Sequence, residues 1–545
     1  MHSSQPEYDV VVIGAGINGG GIFREASLRG YKTLLLEKDD LGGATTATSS
    51  RLIHGGLRYL EHYEFPLVRE SLRERERLLK AAPHLVEPLP LTLPVYKGHK
   101  RGPFMIGLGM VAYDVLSYDK SVPTSKMLTR DQALAAEPGL EPDGLRAAGR
   151  YYDAQAIFPE RLVVENVIDG VRQGGAVRTH STVTGFEIEN GTAATVIYTD
   201  PDGNEQRVTT ATVINVAGPW IDQVLELAGS FPRFNGGTKG SHIVVEPFPG
   251  APKDALYIEA RQDGRPYFII PWNDLYLIGT TDIRFTGELD NIVAEEHEIS
   301  YLLDETNLAI PDAKLTRDDV LYTFAGVRPL PYVPEGSTGS ITRKHIIQSH
   351  GPDVNNLFTI IGGKLTTYRS LAEEAVDRID RHFDRPVGGK KSPTRTKRLP
   401  GAAANMVKEQ NRFVAQRPEW LAESSARWLV NRYGMRAYDV VKLAESNPRY
   451  QEPIREGHQA IIAVIPFSFE HEYAGNLADV MLRRTMLAME PDAGLAIAES
   501  MSHVAQKIYG WSDEQREAEL AEFHRQIAGQ LPRGLAPNPG PEVAL

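Results

Sequence analysis

Residues Asp9 to Gly21 read DVVVIGAGINGGG. An apolar run, Val10–Ile13, stops at glycine, and Gly14, Gly16 and Gly19 follow in the spacing G-x-G-x-x-G. This stretch restricts the fold more than any other. It is how a buried strand passes through a tight turn into a helix whose N-terminus holds a pyrophosphate. The surrounding pattern supplies the context the motif requires. It predicts a helix from Ile17 to about Leu28, stopped near Arg29-Gly30, and a second strand over Thr33–Leu36 that ends in Glu37. Glu37 stands close to the ~20-residue offset at which a carboxylate takes the ribose hydroxyls of a dinucleotide. The expected fold class is therefore α/β, with a Rossmann-like dinucleotide-binding domain.

A chain of 545 residues is too long for one core, so further domains are expected. Thr212–Val216 and Leu357–Ile361 read as more buried strands. Between them lie shorter strand patterns, Ser241–Glu246, Tyr267–Pro271 and Leu275–Gly279, the last two joined by a hairpin signal at "WND". These predict an inserted antiparallel sheet on the substrate side. From about Arg395 onward the patterns are helical, in "PEWLAESSARWLVNRYG", "NLADVMLRRTMLAME" and "GWSDEQREAELAEFHRQI", which predicts a separate α-helical C-terminal domain. The end, from Leu531, is rich in proline and glycine and is expected to be disordered.

Composition removes several function classes. The net charge of -12 argues against a general affinity for nucleic acid. With no cysteine there are no disulfides, thiolate zinc sites, cysteine nucleophiles or cysteine-held iron–sulfur clusters on the chain, and no cysteine-tethered flavin. No metal site is expected. The N-terminal residues show no secretory signal pattern. The most apolar later window, Phe104–Leu116, is too short for a transmembrane helix and contains Asp114.

The later glycine loops do not repeat the dinucleotide fingerprint, as a nicotinamide half-site would require. "IIGGKLTTYRS" instead reads as a strand ending in Gly362-Gly363, with Thr366 or Thr367 as the cap of a following helix. The positive end of that helix would favour the anionic edge of a reduced flavin. "GGATTATSSRLIHGGLRYLE" combines small residues, which let backbone approach a flat ring, with Arg51, His54 and Arg58.

The segments "IGAGINGGGI", "TSSRLIHGGLRYLEHYEF", "NVAGPW", "KGSHIVVE", "IIPW…LIGTTD", "AGVRPL", "ITRKH" and "GGKLTTYR" occur in the order seen in FAD-dependent glycerol-3-phosphate dehydrogenase. The resemblance runs from about residue 8 to 385 and continues in "LADVMLRRT" at 477–485. The wider class is the D-amino-acid-oxidase-like flavoproteins. The resemblance implies FAD as cofactor. It also implies oxidation of the C2 hydroxyl of sn-glycerol 3-phosphate to dihydroxyacetone phosphate, with hydride passing to the flavin. Residues 8–90, 145–235 and 340–390 are expected to form a discontinuous FAD-binding domain. Residues 91–144 and 236–339 would form the substrate-binding cap, 395–530 the helical domain and 531–545 the tail.

Cofactor-binding candidates begin with the fingerprint, Gly14, Gly16, Ile17, Asn18 and Gly19, and with Glu37 and Lys38 after the second strand. The small-residue loop adds Thr46, Ser49, Ser50, Arg51, Leu52, His54 and Gly55. Val183, the "AGPW" residues Ala217, Gly218 and Trp220, and Gly363, Lys364, Leu365 and Thr366 complete the set. The substrate needs a cationic cradle for a phosphate dianion, for which the sequence offers Arg58, Arg328, Arg343 and Lys364. Tyr59 would orient substrate in the same pocket. The reaction also needs a proton acceptor. His242 is the chemical favourite because imidazole titrates near neutrality. Arg328, a poor base, could instead stabilise a developing alkoxide, and His54 is a third candidate.

The electron acceptor stays open at this point. A quinone-linked dehydrogenase, an oxidase releasing peroxide, and a FAD-binding protein without glycerophosphate activity all remain. A quinone would require bilayer contact. For that the sequence offers Tyr96–Leu116, where Lys97, Lys100 and Arg101 precede an apolar stretch. The expectation is a cytoplasmic protein, peripheral on the cytoplasmic face of the inner membrane. The alternative for this segment is a buried helix with a solvated basic loop before it. A homodimer is left open.

Overall fold

The computed structural model describes residues 6–57, 60, 63–336, 341–384 and 392–532. Two sheets organise it. In the first, β1 (Tyr8–Ile13) lies between β2 (Thr33–Leu36) and the strand Glu205–Asn215, parallel to both. Val354–Ile361 and Ala176–Arg178 extend the parallel order on either side. Val10, Val11, Val12, Leu35, Val213, Ile214 and Leu357 are buried. Covering on both faces is why these strands read as unbroken apolar runs rather than alternating ones. α1 (Ile17–Leu28) packs on one face against the helices Pro159–Val171 and Tyr368–His382. β1, α1 and β2 fall where the sequence pattern predicts them.

The second sheet has ten strands, mostly antiparallel. Thr238–Val245 runs between Leu275–Gly279 and Val320–Arg328. The hairpin Pro266–Trp272/Leu275–Gly279 turns at Asn273-Asp274, whose φ angles of 52° and 61° match the mirror-image turn that fits strand twist. One boundary differs from the expectation. Leu145–Ala156, placed with the dinucleotide domain by its sequence position, pairs along its length with Val86–Tyr96 in this second sheet. Its sequence, LRAAGRYYDAQA, carries no mark of which sheet it joins; register with a distant strand decides that.

The C-terminal part is helical, but its core is not separate. Trp428, Tyr433, Leu487 and Met489 share one apolar cluster with Trp272, Tyr322 and Phe324 of the second sheet. Tyr322 and Asn273 donate hydrogen bonds to the Met489 carbonyl, each at 3.0 Å. "NLADVMLRRTMLAME" is not one regular helix. A short helix, Leu477–Asp479, widens into a π-helical turn over Val480–Arg484. The Thr485 hydroxyl donates to the Val480 carbonyl there, and Met486 sits at φ 60°. Of the expected tail, residues 533–545 lie outside the described residues.

Candidate active site

The glycine loop is built for close approach. Gly14 has φ 105°, and a methyl group on Gly19 would overlap the Gly14 carbonyl oxygen, so strand and helix meet at backbone distance. Gly16 begins α1 without a capping side chain, and no acid stands in the first turn. The positive end of the helix therefore opens on a cavity of about 400 Å³ lined by the loop itself. At the end of β2 the Glu37 carboxylate accepts hydrogen bonds from Ala15 N at 2.6 Å and Asp39 N at 3.0 Å. Burial, joined by the charges of Asp39 and Asp40, pushes Glu37 up to about 7 against those two bonds. Lys38 covers the Trp220 ring at 4.2 Å on the opposite wall.

A second cavity, of about 680 Å³, shares Thr45, Ser49, Pro329, Gly363, Lys364 and Leu365 with the first. Arg328 ends its strand here. Its guanidinium donates to Thr280 Oγ1 at 2.9 Å and to Asp282 Oδ1 and the Thr281 carbonyl, each at 3.2 Å. To reach them it crosses the neighbouring strand at Gly240, where any Cβ would occupy its space. Arg343 stands 3.7 Å from the other oxygen of Asp282. One acid is thus set against two arginines, and Lys364 adds a third cationic side chain to the wall. Burial lowers Lys364 to about 7, with Glu64 and Glu70 opposing the shift and Arg343 adding to it. His242 projects from Thr238–Val245 and places Nε2 2.8 Å from Ser50 Oγ. Burial, then the charges of Arg328 and Arg51, lower this imidazole to about 3.

The first cavity gathers Gly14, Gly16, Ile17, Asn18, Glu37, Lys38, Thr46, Ser49, Val183, Ala217, Gly218 and Trp220. The second gathers Ser50, Leu52, His54, His242, Arg328, Arg343 and Thr366, with Gly363, Lys364 and Leu365 on the wall between. Other residues are placed differently from the expectation. Gly19 does its work in strand–helix packing rather than on the cavity wall. Gly55 faces the interior, where its N–H donates to Tyr113 Oη at 2.9 Å. Arg51 borders the cavity, but its guanidinium is fully buried on Glu160, with bonds of 3.0 and 2.9 Å, and lies 4.6 Å from the Trp272 ring. Thr366 does not cap the following helix: its hydroxyl accepts from His54 N at 3.0 Å, and Thr367 caps without a side-chain bond. Arg58 and Tyr59 lie outside the described residues. Sequence reasoning passed over Asp282 and Thr280, although both stand in "LIGTTD" beside the hairpin; an acid there needs a cationic partner, and that was the available signal.

Residues 9–378 match the FAD dependent oxidoreductase family, and residues 392–516 match the C-terminal domain of alpha-glycerophosphate oxidase. Over 534 residues the chain is 45% identical to a glycerol-3-phosphate dehydrogenase of Synechocystis sp., covering 95% of this chain and 96% of that one. The chain belongs to the glycerol-3-phosphate dehydrogenase branch of the FAD dependent oxidoreductases. A second relative in this branch, the aerobic glycerol-3-phosphate dehydrogenase of Escherichia coli, is 37% identical over 488 residues, with 88% of this chain and 94% of that one covered. The branch's fold is shared with the solved glycerol-3-phosphate dehydrogenase of Bacillus halodurans complexed with FAD. The TM-score is 0.79 at 24% identity, over 99% of this chain and 97% of that one.

FAD is the cofactor of this family, and the residues present fit it. The uncapped start of α1 suits the pyrophosphate, and Glu37 suits the ribose. Asn18 leaves its buried Oδ1 without a hydrogen-bond partner among the described residues, and its amide donates to the Gly362 carbonyl at 3.4 Å beside the wall the cavities share.

Proposed function

We propose that the chain oxidises sn-glycerol 3-phosphate at C2 to dihydroxyacetone phosphate and passes the electrons to a membrane quinone. The observation that carries the substrate reading is the second cavity. Arg328, Arg343 and Lys364 converge beside a neutral imidazole, on a wall shared with the dinucleotide cavity. When bound, FAD supplies the hydride acceptor. Arg343 and Lys364 hold the phosphate. Arg328, fixed by Thr280, Thr281 and Asp282, faces the charge that develops on the C2 oxygen. His242 is neutral near pH 7 and offers a lone pair to the hydroxyl proton. Burial, and after it the positive charges of Arg328 and Arg51, keep its basicity low in the free protein. An entering phosphate dianion offsets those charges and raises the basicity.

The test is anaerobic mixing of the yellow protein with sn-glycerol 3-phosphate. Loss of the flavin colour with formation of dihydroxyacetone phosphate is the expected result; a flavin that stays oxidised would remove this substrate. Repeating it in air separates acceptors, because stoichiometric peroxide would make oxygen the partner.

The quinone reading rests on the helix Pro103–Leu116. It buries Ile106, Met110 and Tyr113, while Phe104 is 84% exposed, Tyr118 just beyond it 79%, and Leu108, Val111 and Val115 are exposed between them. Among the described residues no helix is long and apolar enough to cross a membrane, but this one presents an apolar face that an interface would cover. Of the three cations before it, Lys97 and Lys100 are exposed, but Lys100 also lines the second cavity and Arg101 stands 4.0 Å from Glu259, so substitutions in the apolar face disturb the site less. Wild-type protein should sediment with phosphatidylglycerol/phosphatidylethanolamine vesicles, and a Phe104→Ser/Leu108→Ser/Val111→Ser variant should stay in the supernatant. Equal sedimentation of both would move the contact elsewhere.

A further inference from the structure

We propose that the C-terminal helical domain clamps the cofactor cavity: Arg483 and Arg484 fix the turn Glu37–Asp40 through Asp40 and so tighten FAD binding. This rests on the first cavity being the FAD site. The turn after β2 carries three carboxylates in four residues, Glu37, Asp39 and Asp40 with Lys38 among them, and all four line that cavity. Like charges packed this closely repel one another. The ribose-side Glu37 is already held by two backbone N–H groups. Asp40 is buried, and its compensation comes from the far end of the chain.

Arg484 grips Asp40 with both arms, Nη1 to Oδ2 at 2.8 Å and Nη2 to Oδ1 at 2.6 Å, with both side chains fully buried. Such a fork fixes a carboxylate in orientation as well as in charge. Arg483 bonds the same Asp40 through Nε and reaches Asp479 Oδ1 with Nη2 at 2.9 Å. The other oxygen of Asp479 lies 2.7 Å from His180 Nε2. His180 N then donates to the Asp39 carbonyl at 2.7 Å, and Ser181 N to the Glu37 carbonyl at 2.7 Å. Ser181, Thr182 and Val183 form the wall facing the turn. The chain of contacts therefore closes on itself, and both walls of this part of the cavity are tied to one segment of the C-terminal domain. Both arginines stand in the π-helical turn Val480–Arg484, a costly irregularity of the kind that recurs where side chains serve a site. These are positioning residues: they act on the cofactor through Asp40 and His180.

The experiment uses the full-length FAD-loaded protein. The FAD dissociation constant is read from flavin fluorescence, and thermal unfolding at saturating FAD reports the fold. Asp40→Asn and Arg484→Gln should each raise the dissociation constant at least tenfold. The double variant should be no worse than the Asp40→Asn single one, because Arg484 acts on the turn only through Asp40. Tyr322→Phe and Asn273→Ala loosen the same domain from the second sheet without touching the turn, and should leave FAD binding within about twofold of wild type. An unchanged dissociation constant in a folded Asp40→Asn protein overturns the clamp. So does an equal loss of FAD affinity in Tyr322→Phe. Should Asp40→Asn not fold, His180→Gln decides, with about threefold weaker binding expected and no change refuting the idea. A wild-type protein that holds no flavin would overturn the reading of the cavity, and the clamp with it.

Discussion

The dinucleotide cavity takes its defining features from backbone, whereas the second cavity is made by side chains reaching in from distant strands. Gly14, Gly16 and the start of α1 lie within four residues of chain, and Glu37 closes the same β-α-β unit. Arg328, His242, Arg343, Lys364 and Asp282 come from separate segments, and none of them acquires its surroundings locally. The difference shows in their titration. Glu37 is raised by burial but steadied by two N–H groups from its own unit. His242 and Lys364 are lowered first by burial and then by arginines from distant segments, Arg328 and Arg51 for the one and Arg343 for the other, with no backbone N–H of their own unit acting against the shift. A backbone-made site should therefore fail all at once when its geometry is blocked, and a side-chain site should fail by degrees.

Gly19→Ala is the severest test of that contrast. A methyl group overlapping the Gly14 carbonyl must push α1 off β1, and the expected product is a protein without measurable flavin, checked by its absorbance relative to protein. Stoichiometric FAD in this variant would show that the turn has slack that the structure does not suggest. Arg328→Ala should be milder and confined to catalysis. Losing a charge-assisted contact to the transition state costs roughly 2–4 kcal/mol, or about 30- to 1000-fold in kcat/KM, with flavin content and unfolding temperature near wild type. An unchanged kcat/KM would place Arg328 outside the reaction.

Lys364→Met should give the smallest effect, and one that depends on pH. Lys364 is lowered to about 7, so in the free protein its charge is present below that pH and is lost as pH rises through it. Wild-type kcat/KM should accordingly fall on the alkaline side of 7. The variant should be about tenfold slower near pH 6 and lack that fall. His242, lowered to about 3, stays unprotonated from pH 6 to 8 in the free protein and should add no acid limb there. An acid limb between pH 6 and 8 that His242→Ala abolishes would show that the imidazole titrates much closer to its usual range.

The same contrast explains what could be read in advance. The bounds of β1, α1 and β2 and the Asn273-Asp274 turn follow from local rules. A strand buried on both faces needs a continuous apolar run, a pyrophosphate turn needs glycine at fixed offsets, and a two-residue hairpin needs positive φ. Arg51 could not be placed that way. An arginine among small residues beside a flavin loop looks like a ligand, and only the arrival of Glu160 from the helix Pro159–Val171 reveals it as a buried ion pair. Of the two threonines the sequence offers as a helix cap, Thr367 takes the position without a side-chain bond, and the Thr366 hydroxyl goes to His54, because a hydroxyl bonds whatever tertiary packing brings nearest.

By itself the sequence determined the dinucleotide unit, the succession of strand and helix, and the set of cationic residues available to a phosphate, since each depends on spacing along a few residues of chain. Tertiary structure alone decided which sheet Leu145–Ala156 joins, which arginine faces the cavity, and that Asp40 is neutralised from the C-terminal domain. Those outcomes depend on charge pairing and register between segments far apart in the chain, where spacing carries no information and only the requirement that buried polar groups find partners selects one arrangement.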